Sequence, residues 1–329
     1  MLDKVILFAR LVAYTATVIW DHYQRSKPAS KRFKSLPPLP PPAPESIQNI
    51  VIVGASFAGY HCARTLARSL PPNSPYRIVV IEPRSHFHFT WVLPRFCVVQ
   101  GHEHKAFIPY GPYLEGGSEG IEVRWVKDAV VSVGKGVVQL RDSEEEIGYA
   151  YLVIATGSGA ADQLPSRVGT DDKAEGLIRL RAVQEKIKDA QKIVVVGGGA
   201  AGVELATDAK GQYKEKTIVL VHSRQAVMHR FRPEFQKAAL DGLKKLGVEV
   251  ILGERVIDEE VDEGFVTLKS GRKVECDYVV RIHLFHFLDC LAWVVSNICL
   301  GQLYRPKAKL ESNRRAQPWT HLRRWSPPC

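Results

Sequence analysis

Gln48-Asn-Ile-Val-Ile-Val-Gly-Ala-Ser-Phe-Ala-Gly-Tyr-His-Cys-Ala-Arg-Thr-Leu66 sets a buried-strand pattern, a glycine turn and the start of a helix in immediate succession. Ile50 to Val53 is a continuous β-branched run, the pattern of a parallel strand covered on both faces. Gly54 permits a tight turn after it, and Gly59 lets the following helix pack closely on the strand. Ser56 stands where the G-x-G-x-x-G pattern has its middle glycine. Its side chain is short, so the backbone still approaches a pyrophosphate, though less freely than glycine would allow. The stretch, with Ala55, Phe57 and Ala58 between these positions, reads as a nucleotide cradle in which helix N–H groups and the helix dipole face phosphate. Taken singly it reads equally well as a plain strand-to-helix turn.

A second stretch repeats the design. Lys192-Ile-Val-Val-Val-Gly-Gly-Gly-Ala-Ala-Gly-Val-Glu-Leu-Ala206 carries Gly197, Gly199 and Gly202 in full register after another β-branched run. Two matches in one chain disfavour the plain-turn reading and imply two dinucleotides. After the first cradle, Tyr76 to Glu82 is a second strand ending in an acid, and Glu82 is where such a unit places a carboxylate for a ribose hydroxyl pair. After the second cradle, the strand Thr217 to His222 ends in His222-Ser223-Arg224 and supplies no acid. A missing acid beside an arginine is the arrangement that accepts a 2′-phosphate, which favours NADPH over strict NADH use; Arg224 reads equally as an ordinary surface residue.

The chain has 329 residues and a formal charge of +10. Seven Lys/Arg against three Asp/Glu lie in residues 1–45, and eight against two in residues 281–329, which leaves the body neutral. Basic ends of this kind point to solvated tails or a membrane surface rather than to nucleic acid. The six cysteines form no C-x-x-C pair and no ligand spacing with histidine, so neither a structural zinc site nor a disulfide framework is expected, and no metal ligand is assigned.

Residues 5–20 are apolar apart from Arg10, Thr15 and Thr17, and Lys27, Lys31, Arg32 and Lys34 follow. As a helix the run spans about 24 Å, short of the roughly 30 Å hydrocarbon core. An anchor, a cleaved targeting peptide and an interfacial helix all remain open, with the anchor favoured and a membrane-associated location, on the cytoplasmic face or mitochondrial, expected. Residues 37–45, with six prolines, read as an extended spacer. Further along, 121–140 reads as a β-meander, Tyr151 to Gly157 as a buried strand and turn, Leu180 to Ala190 and Phe235 to Leu246 as helices, Val248 to Leu252 as a strand, and Val256 to Val280 as short strands.

The two cradles, the Ala155-Thr156-Gly157 turn, GGGAAGVELA and VECDYVV together resemble the two-dinucleotide-binding flavoprotein superfamily over residues 48–280. Within it, HFHFTWVLPRF and GHEHKAFIPY most resemble apoptosis-inducing-factor-like NAD(P)H oxidoreductases that reduce quinones, including the ferroptosis suppressor type. The resemblance implies an α/β fold of two Rossmann-like FAD/NAD(P)-binding domains of the three-layer ββα type, the second inserted in the first. It divides the chain into a hydrophobic and basic segment (1–36), the proline-rich linker (37–45), an FAD-binding part (46–158), an NAD(P)-binding domain (159–280) and a tail (281–329). It places FAD on the first cradle, with Arg95 at the flavin, the backbone of Val130 at adenine and the Ala155 turn nearby. NAD(P)H falls on the second cradle, with Glu204 close to both rings and Lys105 near the flavin edge as the catalytic candidates. The implied activity is hydride transfer from NAD(P)H to flavin and onward to a small-molecule acceptor, a quinone among the candidates. The protein's part is to hold two rings in register, with no nucleophile or metal required.

Family chains continue after VECDYVV into a second A-T-G turn and a Gly-Asp motif. This sequence instead runs into IHLFHFLDCLAWVVSNICLG and an arginine-, proline- and tryptophan-rich end. The first domain is accordingly expected to be incomplete at its C-terminal end and the tail aberrant or truncated. A catalytically inactive remnant that still binds nucleotide is the competing expectation.

Overall fold

A computed structural model of the chain describes residues 2–26, 39–111, 114, 120–157, 164–260 and 263–282. In chain order its helices and strands are α1 (Leu2–Ser26), β1 (Gln48–Val53), α2 (Phe57–Ser69), β2 (Tyr76–Ile81), β3 (His86–His88), α3 (Leu93–Phe96), β4 (Phe107–Pro109), β5 (Val123–Val126), β6 (Val130–Gly134), β7 (Val137–Leu140), β8 (Glu146–Gly148), β9 (Tyr151–Ile154), α4 (Lys173–Asp189), β10 (Lys192–Val196), α5 (Ala200–Gln212), β11 (Thr217–His222), α6 (Pro233–Leu246), β12 (Glu249–Leu252), β13 (Val256–Glu260), β14 (Phe265–Leu268), β15 (Lys273–Glu275) and β16 (Tyr278–Arg281). The tail from residue 283 lies outside the described residues. Of the proline-rich segment, Ala43 is extended at φ −62°, ψ 140° and leads into one 3₁₀ turn, Pro44–Ser46.

The two glycine stretches open two copies of one arrangement. Four parallel strands run in the order β5-β2-β1-β9 in the first sheet and β12-β11-β10-β16 in the second. In each, an antiparallel three-stranded meander, β6-β7-β8 or β13-β14-β15, is inserted between the third strand in sequence and the last. Strand alternation explains the layering. Val51, Val53, Val79 and Ile81 face Val138, Leu140 and Ile147 of the meander, while Ile52, Ile78 and Val80 face Ala63 and Ala67 of α2. In the second copy Val194, Val219 and Val221 meet Val266, Leu268 and Val274, and Ile193, Val195, Ile218 and Leu220 meet Leu205, Ala206 and Ala209 of α5. Both faces of each sheet are therefore dry, which is why the strands read as unbroken β-branched runs. The layering is the three-layer ββα form that the resemblance implies.

The expected meander over 121–140 is corrected in one part. Residues 123–126 pair parallel to β2, Ile78 opposite Val123, as the edge of the first sheet, and the meander begins at Val130. Asp128 makes the change of direction. Its Oδ1 accepts the N–H groups of Ala129 (2.6 Å) and Asp142 (3.0 Å), and its Oδ2 accepts the Ser143 N–H (3.0 Å) and hydroxyl (2.9 Å). The helix expected over Leu180–Ala190 starts earlier, at Lys173, where the Asp172 side chain accepts the Glu175 N–H at 2.8 Å as an N-cap.

Two buried polar groups fasten α4, one to residues 93–106 of the first copy and the other to the segment before β11. Gln184 of α4 donates to the Phe96 carbonyl (2.7 Å) and to Glu103 Oε1 (2.9 Å), which fastens residues 93–106 onto the second copy. Lys216, 2 % exposed, donates to the carbonyls of Ile187 (2.9 Å) and Ala190 (2.6 Å) at the C-terminal end of α4, where a cation is favoured.

Burial pushes the Asp128 carboxyl up, but the three N–H donors and the Ser143 hydroxyl outweigh it and hold it well below the usual carboxylate range. Because the folded value is depressed, the stability it brings is present above the unfolded carboxylate value of about 4 and is lost as pH falls through the folded one. Asp128→Asn is expected to cost about 1–3 kcal/mol at pH 7. Urea melts at pH 7 and pH 3 check this, with the gap between variant and parent narrowing at the lower pH.

Candidate dinucleotide-binding sites

At the first crevice, Gly54 ends β1 with φ +90°, and a Cβ added there would lie 2.7 Å from the Ala155 carbonyl oxygen. The Ala155-Thr156-Gly157 turn thus sits directly against Gly54, at the point where the strand order reverses between β1 and β9. A Cβ on Gly59 would come within 1.8 Å of the Gly54 carbonyl oxygen, so only glycine lets α2 approach so closely. Ser56 is the N-cap of α2, with Phe57, Ala58 and Gly59 in its first turn.

Glu82, 3 % exposed, follows β2 directly. Its Oε2 accepts the Ala55 N–H at 2.7 Å and its Oε1 the Arg84 N–H at 3.1 Å. Each oxygen keeps acceptor capacity for a ribose hydroxyl. The Glu82 N–H donates to the Val126 carbonyl (3.0 Å), which brings the end of β5 beside it, and Val130 opens β6 four residues on. Gly54, Ala55, Ser56, Phe57, Ala58, Gly59, Glu82, Ala155, Thr156 and Gly157 therefore converge on one crevice, whose residues fit the adenosine diphosphate half of FAD.

The second crevice repeats the backbone contacts of the first cradle glycine and of the helix glycine. The Gly197 N–H donates to the Val221 carbonyl, as the Gly54 N–H does to Ile81, each at 2.8 Å. A Cβ on Gly202 would meet the Gly197 carbonyl oxygen at 1.8 Å, the distance found at Gly59. A Cβ on Gly199, the N-cap of α5, would meet nothing within 4 Å, so its open side is free for a pyrophosphate. Ile282 occupies the place that Ala155 holds in the first copy. Beyond the turn lies a cavity of about 480 Å³, lined by His222 and Arg224 and also by His229, Arg230, Arg255 and Arg281. Its size, charge and open glycine fit the adenosine half of NAD(P)H.

Between the crevices, Arg95 of α3 donates to Asp208 of α5 at 2.8 Å, so its guanidinium is engaged by the second copy rather than by the first cradle. Glu204 lies one turn before Asp208. Burial, then the Asp208 charge, raises the Glu204 carboxyl against the pull of Arg95. Asp208 is likewise raised, by burial, with Arg95 opposing. Lys105 is exposed, on the 3₁₀ turn Glu103–Ala106.

Several contributors escaped the sequence reading. Asp208 had a signal, its i+4 spacing from Glu204. His229, Arg230, Arg255 and Arg281 had none, because three separate loops and strand ends deliver them. The aromatic cluster beside the first cradle was also missed: Phe57 stacks on Trp91 at 4.6 Å and meets Phe87 edge-on at 4.8 Å, with Trp91 68 % exposed. Cys62 and Cys97 are free thiols, and burial raises Cys97 far from reactivity.

Two glycine cradles in tandem, each at the switch point of its own parallel sheet, define a fold with two crevices of the dinucleotide-binding form. The chain belongs to the pyridine nucleotide-disulphide oxidoreductase family, whose model matches residues 48–282. It is 33 % identical over 255 residues to Fe-regulated protein 8 of Mycosarcoma maydis, covering 70 % of this chain and 62 % of that protein. To ferroptosis suppressor protein 1 of Taeniopygia guttata it is 32 % identical over 240 residues, covering 70 % and 61 %. The chain thus spans about three-fifths of the length of these relatives. Among solved structures, reduced Bacillus anthracis CoADR-RHD superposes with a TM-score of 0.55 at 21 % identity, over 72 % of this chain and 43 % of that one. A Rhodopseudomonas palustris ferredoxin reductase gives 0.53 at 22 %, over 71 % and 58 %. These two likenesses establish the fold.

The glycines separate stability from binding. Gly202→Ala is expected to cost about 1–3 kcal/mol, because the methyl group has no space. Gly199→Ala, which meets open space but loses the N-cap preference for glycine over alanine, should cost at most about 1 kcal/mol yet weaken dinucleotide binding by roughly tenfold or more. Thermal melts and nucleotide titrations on both variants check the contrast.

Proposed function

We propose that the chain is an NAD(P)H-dependent oxidoreductase with FAD on the first crevice and NAD(P)H on the second, passing electrons to an acceptor such as a quinone. The observation that carries this reading is the repeated cradle: two helix N-termini, each behind a glycine that tolerates no methyl group, at the switch points of adjoining sheets. FAD, when bound, supplies the hydride-accepting chemistry. The chain's own residues hold and orient. Glu82 and the Gly54–Gly59 turn take the ribose and diphosphate of one ligand, and the Gly197–Gly202 turn takes the diphosphate of the other. The Arg95–Asp208 pair pins α3 to α5 and so fixes one crevice against the other. Glu204, raised by burial on the same helix, is the side chain we assign to hold or release a proton near the nicotinamide, and Lys105 the cation we assign to the flavin edge. The resemblance to the ferroptosis suppressor type supports a quinone-like acceptor, and the arginines around Arg224 support NADPH.

The purified chain is expected to be yellow, with flavin absorbance that NADPH bleaches and a quinone restores. A colourless protein that NADPH nevertheless protects against unfolding would instead make it a nucleotide binder without turnover.

We also propose that α1 lies along a lipid surface. No helix among the described residues is long and apolar enough to cross a membrane. Leu7, Phe8, Leu11, Ile19 and Trp20 are nonetheless exposed on α1, and the sequence continues into Lys27, Lys31, Arg32 and Lys34. An apolar helix followed by cations suits the surface of an anionic membrane, cytoplasmic or mitochondrial. The chain is expected to sediment with phosphatidylserine-containing vesicles, and a Phe8→Glu/Leu11→Glu variant to stay largely in the supernatant. Equal sedimentation of the two would refute this placement.

A further inference from the structure

With Gly59 set against Gly202, His61 and Thr65 of α2 fall opposite Glu204 and Asp208 of α5. His61 and Thr65 are both exposed, whereas the Asp208 side chain is 17 % exposed and lies against Arg95 of α3. The acid pair at these two helix positions therefore belongs to the second copy alone. Four residues apart on a helix, the two side chains have Cβ atoms about 5–6 Å from one another, and two ionised carboxylates so placed repel.

The hydrogen bonding of Asp208 is half complete. Its Oδ1 accepts the Arg95 guanidinium N–H at 2.8 Å, while its Oδ2 is buried and has no partner. Thr207, the hydroxyl beside it on the helix, already donates to the Glu204 carbonyl at 2.9 Å, and Lys210 donates to the carbonyls of Lys214 and Lys216. An ionised Glu204 offers acceptors alone; protonated, it becomes a donor one turn from the bare oxygen. The charges point the same way. Burial, then Asp208, raise the Glu204 carboxyl and Arg95 opposes them; burial raises Asp208, and the charge and hydrogen bond of Arg95 oppose it. The charges that act on the pair thus come from α5 itself and from Arg95 of α3. Because Arg95 bonds directly to Asp208, the negative charge settles there and the proton on Glu204. Glu204 keeps an exposed edge, so that proton exchanges with solvent.

We infer that Asp208 is a positioning residue for Glu204: Arg95 holds one of its oxygens, and the other accepts the O–H of the Glu204 carboxylic acid, so that the two acids share one proton across a turn of α5. The inference deepens the proposed role of Glu204 beside the nicotinamide and rests on that reading for what the proton does. Reduction of a quinone by NAD(P)H takes up one proton besides the hydride: NAD(P)H, H⁺ and quinone give NAD(P)⁺ and quinol. A proton held on Glu204 by Asp208 and replaced from solvent matches that balance. The pair also ties the proton to the joint between the copies, since Arg95 belongs to the first and Asp208 to the second.

The test titrates the full chain, without added cofactor, by carbon-13 NMR of glutamate labelled at the side-chain carboxyl, with the Glu204→Gln spectrum identifying the resonance. Glu204 is expected to titrate above the ordinary glutamate value of about 4.3. Asp208→Asn keeps an acceptor for Arg95 but turns an N–H donor towards Glu204, so the midpoint should fall by about one pH unit or more, whereas in Asp208→Glu it should stay raised. Asp208→Thr, with the residue that the first copy carries there, should behave as Asp208→Asn does. In about 1 M sodium chloride, where the Debye length is about 3 Å, the gap between parent and Asp208→Asn should persist, because a hydrogen bond is not screened as a bare charge is. A gap that closes in salt, or a midpoint that is the same in parent, Asp208→Asn and Asp208→Thr, would overturn the shared proton. The measurement needs neither flavin nor nicotinamide, so a colourless chain that behaves as expected keeps the pair and loses only the electron-transfer reading.

Discussion

At Gly59 and again at Gly202 a hydrogen atom stands where a methyl group would lie 1.8 Å from the carbonyl oxygen of the preceding glycine. That contact fixes how closely each helix sits on its strand, and the rest of the architecture follows from it. With the helix so close, its N-terminal N–H groups open onto the end of the strand, beside the gap where the strand order reverses. A phosphate-sized anion is the natural occupant of such a gap. The β-branched runs on either side are the covering that keeps it rigid, each fully buried side chain contributing about 1.5–3 kcal/mol.

Duplication supplies the second half of the account. Both copies have the same strand order, the same inserted meander and the same backbone bond from cradle glycine to neighbouring strand, at the same 2.8 Å. Function is written in the departures from symmetry. Glu82 in one copy is His222 in the other; Ala155 in one is Ile282 in the other. The first pair puts a buried imidazole where the other copy has a buried carboxylate. The copies are joined through α3, held by Gln184 and by the Arg95–Asp208 ion pair, so the two crevices are tied to one another by packed contacts.

The cradles, their strands and Glu82 were legible because local sequence dictates them: a buried parallel strand needs a β-branched run, and a tight phosphate turn needs glycine. The basic cavity was legible only at Arg224, next to its strand. Arg230, Arg255 and Arg281 reach the same cavity from separate connections, and no spacing in the chain announces that meeting. The misassigned strand at 123–126 has a comparable cause. Its alternation is that of any half-buried strand, and only the four donors gathered by Asp128 divert the chain from the parallel sheet into the meander. Arg95 carries a contact the motif does not announce: its guanidinium donates to Asp208 of the second copy.

The central claim is that the two turns grip two different dinucleotides at once, and amide hydrogen exchange on the intact chain tests it most directly. Adding FAD alone should protect residues 54–59 and leave 197–202 unchanged; adding NADPH alone should do the converse, and both together should protect both. Exchange at the two turns that is indifferent to either ligand, or that responds at a single turn to both, would contradict the account.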